Sequence, residues 1–487
     1  MDRIEQFSAI TGDIGTILRY ISGGACLPLV VAVIYDEWDM LLPMASAPVF
    51  LFLLGTLLCS LPSSKREARL SQALFAVALI WLICAFAGGM PFTFGTGMPY
   101  LDAVFESMSG WTDTGLTLLP DVDATPHTLL FWRSLMQWLG GLGIVAFTVA
   151  MASRSGLTEY RLYRSEGRTE AFMPSVVAQG FQMWKIYIIL TICSILLIKV
   201  SGVPVWDAIN IAMVGIATGG FSVHTAGIPY YDNVLLEMLI IPVMLAGALP
   251  FKLYYLSYRN KKLGFFKDEQ ARLLFILFGL GAALLAFDLI TFNNLDIWTA
   301  IRQGLFMSAA GVTSTGFQVA SPGLWAPVSV MILFLLMFIG GSSGSTAGGI
   351  KLSRIALGYR GMVWWFRRVF VSGKVLVPFR YEGKVIPKNV AELEVSRNML
   401  VILLYMIIIF AAAVLVVHAE GDIQVDSSNV IFDIITAICN NGISSGFVSP
   451  DMSPISKIAF IVIMWVGRLE VMPVIVLVMG LLRGFEY

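Results

Sequence analysis

Four short stretches of this chain place a glycine after small polar residues: "TDTG" at 112–115, "TGG" at 218–220, "TSTG" at 313–316 and "SSG" at 444–446. Their side chains supply no general base, nucleophile pair or metal-ligand set. What they supply is backbone. Glycine takes left-handed angles freely, so it lets successive carbonyls point one way. A ring of such carbonyl oxygens can replace the hydration shell of a cation. The candidate lining residues are Thr112, Asp113, Thr114 and Gly115; Thr218, Gly219 and Gly220; Thr313, Ser314, Thr315 and Gly316; and Ser444, Ser445 and Gly446. For Asp113 two readings stand: its carboxylate concentrates cations locally, or it turns behind the lining and bonds backbone amides.

A second stretch, "GGSSGSTAGG", holds Gly340, Gly341, Ser342, Ser343, Gly344, Ser345, Thr346, Ala347, Gly348 and Gly349. Four bracketing glycines leave no stable helix here. A phosphate loop is excluded, because Ile350 separates Gly349 from Lys351 and no strand precedes it. The segment reads as a movable plug beneath the lining, with a static kink as the competing reading. Arg468 lies in the last apolar run with Glu470 close behind. A charge at membrane depth faces a cavity or a partner. Arg468 is read as facing the pathway near the plug, the alternative being an ion pair with Glu470 or another carboxylate. Arg133 and Arg302 sit near span ends and read as anchors.

The elements that must position these residues are apolar helices. The 487 residues are 57% hydrophobic and 13% charged, with a mean hydropathy of +0.80. Soluble chains carry about 25% charged residues. Formal net charge is zero, so nothing points to nucleic acid. Five cysteines lie mostly in apolar runs and three histidines are far apart, which argues against a disulfide framework or a zinc site. No paired carboxylates with a nearby histidine and no nucleophile elbow occur, so an enzyme is not expected. The acidic N-terminal stretch lacks the pattern of a cleavable leader.

Ten stretches approach the roughly 20 residues a spanning helix needs: 20–35, 42–61, 70–88, 128–152, 182–200, 234–255, 271–291, 324–340 with a continuation, 397–418 and 455–482. Basic residues concentrate in 63–69, 153–178, 252–272 and 351–397, including Lys65, Arg66, Arg154, Arg161, Arg164, Arg168, Lys261, Lys262, Arg367 and Arg368. The positive-inside rule then places both termini in the cytoplasm.

The chain also repeats itself. Aligned on Gly115, Gly220, Gly316 and Gly446, it has Asp102, Asp207, Gln303 and Asp433 thirteen residues earlier. Five residues earlier come Gly110, Gly215 and Gly311, with Asn441 as the exception, so the fourth turn is expected to pack differently. The expected fold is an all-α polytopic membrane protein. It comprises an N-terminal helix pair (1–62) and four pseudo-symmetric helix–pore loop–helix repeats at 63–178, 179–265, 266–390 and 391–487. The third repeat carries the intramembrane plug.

These four units, with "FWRSLMQWLGGLGI" at 131–144, "MWVGRLEVMPV" at 464–474 and "GGSSGSTAGGIKLSRI" at 340–355, resemble the Trk/Ktr/HKT superfamily of potassium transporters. The helix pair before residue 62 resembles its TrkH branch. The resemblance implies potassium uptake through a four-turn selectivity filter, with 340–349 and Arg468 as the gate and potassium as the transported ligand. It implies no covalent cofactor. It further implies a homodimer in the cell membrane with a cytoplasmic TrkA-like nucleotide-binding regulatory subunit, so any nucleotide acts through that partner. A serine at the first filter position goes with sodium preference in the family, and all four positions here are glycine. The 351–397 connection, with ten Lys/Arg residues, is the best docking candidate, membrane lipid headgroups being the alternative. Other readings are a proton- or sodium-coupled carrier using Glu106, Glu237 or Asp288, a potassium/sodium pathway of low selectivity, and a scaffold without transport.

Overall fold

A computed structural model describes residues 3–61, 70–143, 176–261, 264–371, 377–381, 384–421 and 426–484. The basic residues Lys65, Arg66, Arg154, Arg161, Arg164, Arg168 and Lys262 lie outside the described residues, as does the end of the expected span 128–152.

The described chain is nearly all helical. Helices α1 (Arg3–Gly24), α2 (Leu27–Ile34) and α3 (Leu41–Ser60) come first. Gly15 of α1 and Gly55 of α3 face each other, and a Cβ on either would meet the other's carbonyl oxygen at 2.5 and 2.7 Å. Small residues of this kind let two helix backbones approach closely. Helix α4 (Leu70–Thr96) leads to the short α5 (Tyr100–Trp111), and α6 (His127–Leu142) follows. The pattern of long helix, short helix and second helix recurs in α7 (Val176–Lys199), α8 (Val205–Ala217) and α9 (Val234–Ala248) with α10 (Phe251–Asn260). It recurs in α11 (Glu269–Thr291), α12 (Ile297–Val312) and α13 (Pro327–Ile339) with α14 (Leu352–Val369). The last set is α15 (Lys388–Glu420), α16 (Ser427–Ile438) and α17 (Pro454–Leu469) with α18 (Val471–Arg483).

One hairpin departs from the all-α expectation. Strands β1 (Phe379–Tyr381) and β2 (Lys384–Ile386) pair antiparallel, and Phe379 packs on Trp364 of α14.

Among the described residues six helices are long and apolar enough to cross a membrane, and up to eight spans result if each of two sharply bent helix pairs counts as one. The bends explain why ten stretches are not ten straight rods. Helices α9 and α10 meet at 91° beside Pro250, and α17 and α18 meet at 112° at Glu470. Proline lacks the N–H that would continue a helix. The expected span at 324–340 is only the 13-residue α13, followed by an irregular segment. Along α15 and α11, Phe410 and Phe287 are 72% and 66% exposed. Large apolar side chains outward on helices of this composition suit hydrocarbon, not water.

The short helices start where the sequence provides for it. Asp296 caps α12 by accepting from the Thr299 amide at 2.9 Å, and Asp426 caps α16 by accepting from Ser428 at 2.9 Å. Asp102 and Asp207 lie in the first turns of α5 and α8, where the helix dipole favours an anion. Asp433, by contrast, sits midway along α16 and takes no part in starting it.

Candidate functional site

Each short helix runs into a turn of the same backbone form. Positive φ recurs in pairs two residues apart: Asp113 and Gly115, Thr218 and Gly220, Ser314 and Gly316, Asn440 and Gly442. A shared hydrogen bond closes each turn, from the amides of Thr114, Gly219, Thr315 and Asn441 to the carbonyls of Ser109, Val214, Ala310 and Thr436, at 2.9 to 3.0 Å. The fourth turn is thus Cys439–Asn440–Asn441–Gly442, not Ser444–Ser445–Gly446.

That corrects the alignment on Gly446. The phrase "SSGF" resembles "TSTGF" in side-chain type, but the turn must follow the helix end directly. Gly446 is exposed, Ser444 and Ser445 are half-buried, and a Cβ on Gly446 would meet nothing within 4 Å. Ala437, not Asn441, corresponds to Gly110, Gly215 and Gly311, since the Asn440 amide bonds its carbonyl at 3.2 Å as Asp113 bonds Gly110 at 3.1 Å.

The four turns form a closed ring. A Cβ on Gly115 would collide with Gly219 O, one on Gly220 with Thr315 O, one on Gly316 with Asn441 O, and one on Gly442 with Thr114 O, all inside 3.0 Å. Each glycine therefore makes room for its neighbour's carbonyl, and the fourth contact returns to the first turn. Positive φ disfavours any L side chain at these positions as well. Because each short helix ends at its turn, four helix C-termini converge on the ring, and these carry partial negative charge.

Bracing differs between the turns. Turns one and three brace themselves through Thr112 Oγ1 and Thr114 Oγ1 at 2.8 Å, and Thr313 Oγ1 and Thr315 Oγ1 at 2.7 Å. Turn two leans on Gln137 of α6, which donates to Gly219 O at 2.6 Å and accepts from the Phe221 amide at 3.2 Å. In turn four, Asn440 donates to Thr114 Oγ1 and to Met464 O, both at 2.9 Å, while Asn441 donates to Gly311 O at 3.0 Å. Gln137 and Asn440 escape a search for glycine-rich phrases. One signal was available: Pro99, Pro204 and Asp426 each stand sixteen residues before a ring glycine.

Carboxylates hold the chain leaving turns one and four. Glu106 accepts from Thr117 Oγ1 and the Leu118 amide at 3.0 Å. Asp433 accepts from Ser444 Oγ at 3.0 Å and the Ser445 amide at 2.7 Å. Glu106 is fully buried and pairs with Arg133 at 2.7 Å, whose guanidinium also donates to Ser222 O at 2.8 Å and stacks on Phe221. Buried charges are tolerated when paired and hydrogen-bonded like this. Glu237 pairs with Arg302 at 3.3 Å, and Asp288 accepts from Ser329.

Against the same ring sits the 340–351 segment. Positive φ at Gly340, Gly344, Gly349 and Lys351 folds it back on itself, with Ile350 and Lys351 amides bonded to Phe338 O and Ile339 O at 3.2 and 3.1 Å. Thr346 is its main attachment. Its hydroxyl lies 3.0 Å from Ile216 O, 2.9 Å from Gly247 O and 3.3 Å from the Thr218 hydroxyl of turn two. Gly348 packs on Cys439 O of turn four, where a Cβ would collide. Ser342, Thr346 and Ala347 are buried.

Arg468 reaches the same place from the end of α17. It donates to Thr346 O at 3.0 Å, to Gly141 O at 3.2 Å and to Gly140 O, and pairs with Asp113 at 3.0 Å. Of the two readings of Asp113, the carboxylate is thus turned toward an arginine. Glu470, which follows Arg468, pairs instead with Arg354. A cavity lies beside this contact, lined by Ser343, Gly344, Gly348, Asn440 and Arg468 among others.

Comparison with known proteins agrees with this architecture. The sequence profile of the TrkH family, described as cation transport protein, matches residues 44–483. An uncharacterized cation transporter of Methanocaldococcus jannaschii is 33% identical over 468 residues, covering 95% of this chain and 94% of that protein. The Trk system potassium uptake protein TrkH of Salmonella typhimurium is 29% identical, covering 97% and 98%. The crystal structure of the potassium transporter TrkH from Vibrio parahaemolyticus superposes with a TM-score of 0.85 at 24% identity, covering 97% and 98%. The chain therefore belongs to the TrkH family of cation transport proteins and is an ion transporter, not an enzyme.

Proposed function

We propose that the protein takes up potassium across the cell membrane through a channel-like pore whose selectivity filter is the four-turn ring. The observation that carries this reading is the ring's closure, in which each glycine admits the next turn's carbonyl. The carbonyls of Thr114, Gly219, Thr315 and Asn441 stand in for water around a dehydrated cation, and the converging helix ends add negative potential. Potassium as cargo is supported by relatives named Trk system potassium uptake proteins. On this reading ten spans carry an N-terminal pair (1–62) and four units (63–178, 179–265, 266–390, 391–487), with both termini in the cytoplasm.

The 340–349 loop is the gate, held shut by Thr346 and Arg468 against turns one, two and four. Release is assigned to a cytoplasmic TrkA-like regulatory subunit, with 351–397 as its docking region, and two copies of the chain form the working dimer. A coupled carrier is less well supported: Glu106, Glu237 and Asp288, its candidate coupling groups, are all engaged by Arg133, Arg302 and Ser329.

The test is uptake of potassium, rubidium and sodium into liposomes holding the purified protein, with Gly316→Ser alongside. Potassium and rubidium exceeding sodium, with the margin narrowed by the substitution, supports the filter. Discrimination unchanged by Gly316→Ser overturns it.

A further inference from the structure

The residue just before each ring glycine is Thr114, Gly219, Thr315 or Asn441. Three of these carry side chains that fasten their turn: Thr114 and Thr315 bond the hydroxyls of Thr112 and Thr313, and Asn441 donates to Gly311 O. Turn two has glycine there, and it has Ala217 where the partner threonine would stand. Backbone angles do not call for this glycine, since the left-handed φ values of turn two belong to Thr218 and Gly220. Space does. A Cβ on Gly219 would meet Gln137 Cδ at 2.4 Å, Oε1 at 2.5 Å and Nε2 at 2.8 Å. The carboxamide of Gln137, fully buried on α6, fills the place of the missing side chain.

We propose that Gln137 is a selectivity-determining positioning residue, an α6 side chain that substitutes for the threonine absent from turn two and sets the Gly219 carbonyl in the ring. The substitution is chemical as well as steric. A threonine hydroxyl fastens its turn to a neighbouring side chain, whereas the carboxamide grips the main chain on both sides of Gly220. It donates to Gly219 O at 2.6 Å and accepts from the Phe221 amide at 3.2 Å. Donor and acceptor belong to one planar group, so the two peptide units flanking the ring glycine cannot turn independently. Gly219 O is also the atom that a Cβ on Gly115 would strike, so the same grip fixes the seam between turns one and two. Without Gln137 a buried carbonyl and a buried amide lose their partner, and the carbonyl is free to rotate. Turn two is therefore positioned from the first helix set, although its own short helix belongs to the second. This inference rests on the ring being the cation pathway, and it assigns part of the selectivity to a residue behind the ring.

The experiment is potassium and sodium uptake into liposomes by wild type, Gln137→Ala, Gly219→Thr, the double variant and Gly316→Ser, each with its thermal melt. Gln137→Ala releases Gly219 O and the Phe221 amide and is expected to lower the potassium-to-sodium ratio about tenfold. Gly219→Thr drives a side chain into the carboxamide and is expected to lower the ratio about tenfold or more. In the double variant the threonine enters the space that the carboxamide has left, and the ratio is expected to return to within about threefold of wild type. Two substitutions that each only damaged the fold would add, so recovery identifies the shared space as the determinant. If the single variants do not fold, a double variant that folds and discriminates like wild type carries the prediction, and one that does not overturns it. A wild-type ratio in Gln137→Ala, or a double variant no more selective than the single ones, overturns the inference while Gly316→Ser reports independently on the ring. A panel in which no member conducts overturns the pathway reading and the inference with it.

Discussion

Gly442 and Gly446 lie four residues apart and make opposite predictions. A side chain at Gly442 meets two penalties. Its φ of 92° is one that L residues adopt only at a cost of about 1–2 kcal/mol. Its Cβ would also stand within 3.0 Å of Thr114 O, when ordinary contact begins at 3.4 Å. That carbonyl, one of the four facing the ring, must give way by about 0.4 Å or more. If only about 1.4 kcal/mol of the strain changes the relative fit of potassium and sodium, discrimination changes tenfold. Gly446 has a φ of 100°, so Gly446→Ser is also strained, but its Cβ meets nothing within 4 Å and touches no ring carbonyl. The assay is the potassium-to-sodium uptake ratio of liposomes holding Gly442→Ser or Gly446→Ser, with melting temperature as a check on folding. Gly442→Ser is expected to lower the ratio about tenfold and Gly446→Ser to leave it within about twofold. Loss of discrimination in Gly446→Ser with none in Gly442→Ser would refute the register of the fourth turn and the ring built on it.

Two further outcomes follow from contacts outside the ring. Thr346→Val keeps the shape of the loop's attachment but removes its hydroxyl, whose one proton is shared between Ile216 O and Gly247 O and whose oxygen accepts from Thr218, a net loss of about 1–1.5 kcal/mol. Basal uptake by the protein alone should then rise about tenfold, and a rate equal to wild type would mean the loop does not gate. Glu37, between α2 and α3, accepts from the His127 amide at 2.7 Å and from the Thr128 amide at 2.9 Å, and so caps α6 from outside. Burial alone would raise its carboxyl, but the Thr128 and His127 hydrogen bonds outweigh this and hold it below the usual carboxylate range. A depressed carboxyl stabilises the fold above its ordinary range and loses that contribution as the pH falls through the depressed value. Glu37→Ala should therefore cost about 1–2 kcal/mol near neutral pH, read as a lower melting temperature, and the gap from wild type should close as the pH falls through the depressed value.

The parts of the site that depend on local backbone were legible in the sequence, and the parts that depend on distant pairing were not. Three turns and the 340–349 loop announce themselves through glycine among small polar residues, because no other residue type fills those backbone angles cheaply. The fourth turn, "CNNG", carries asparagines where the others carry aspartate, threonine, serine or glycine, and the more familiar-looking "SSGF" lies four residues downstream. Asparagine suits that place for two reasons: it tolerates positive φ, and its amide reaches Thr114, Met464 and Gly311. Hydropathy located the membrane helices but averaged over the breaks at Pro250 and Glu470, since apolar residues continue on both sides. Arg468 was recognisable as a buried charge. That its carboxylate would be Asp113 and not Glu470 depends on how the first and last units pack.

The ring's four quarters come from one polypeptide, and this changes what its composition can be. In a pore made of four identical chains, a carboxylate beneath the filter would appear four times, and so would an arginine. Here a single acid faces a single base, with threonine, serine and asparagine at the remaining corners. The electric field below the ring is lopsided by construction. On the proposed reading of the ring as the cation pathway and the 340–349 loop as its gate, a departing ion meets that asymmetry, and a loop attached at one side opens as a hinge about one edge and not as the widening of an iris.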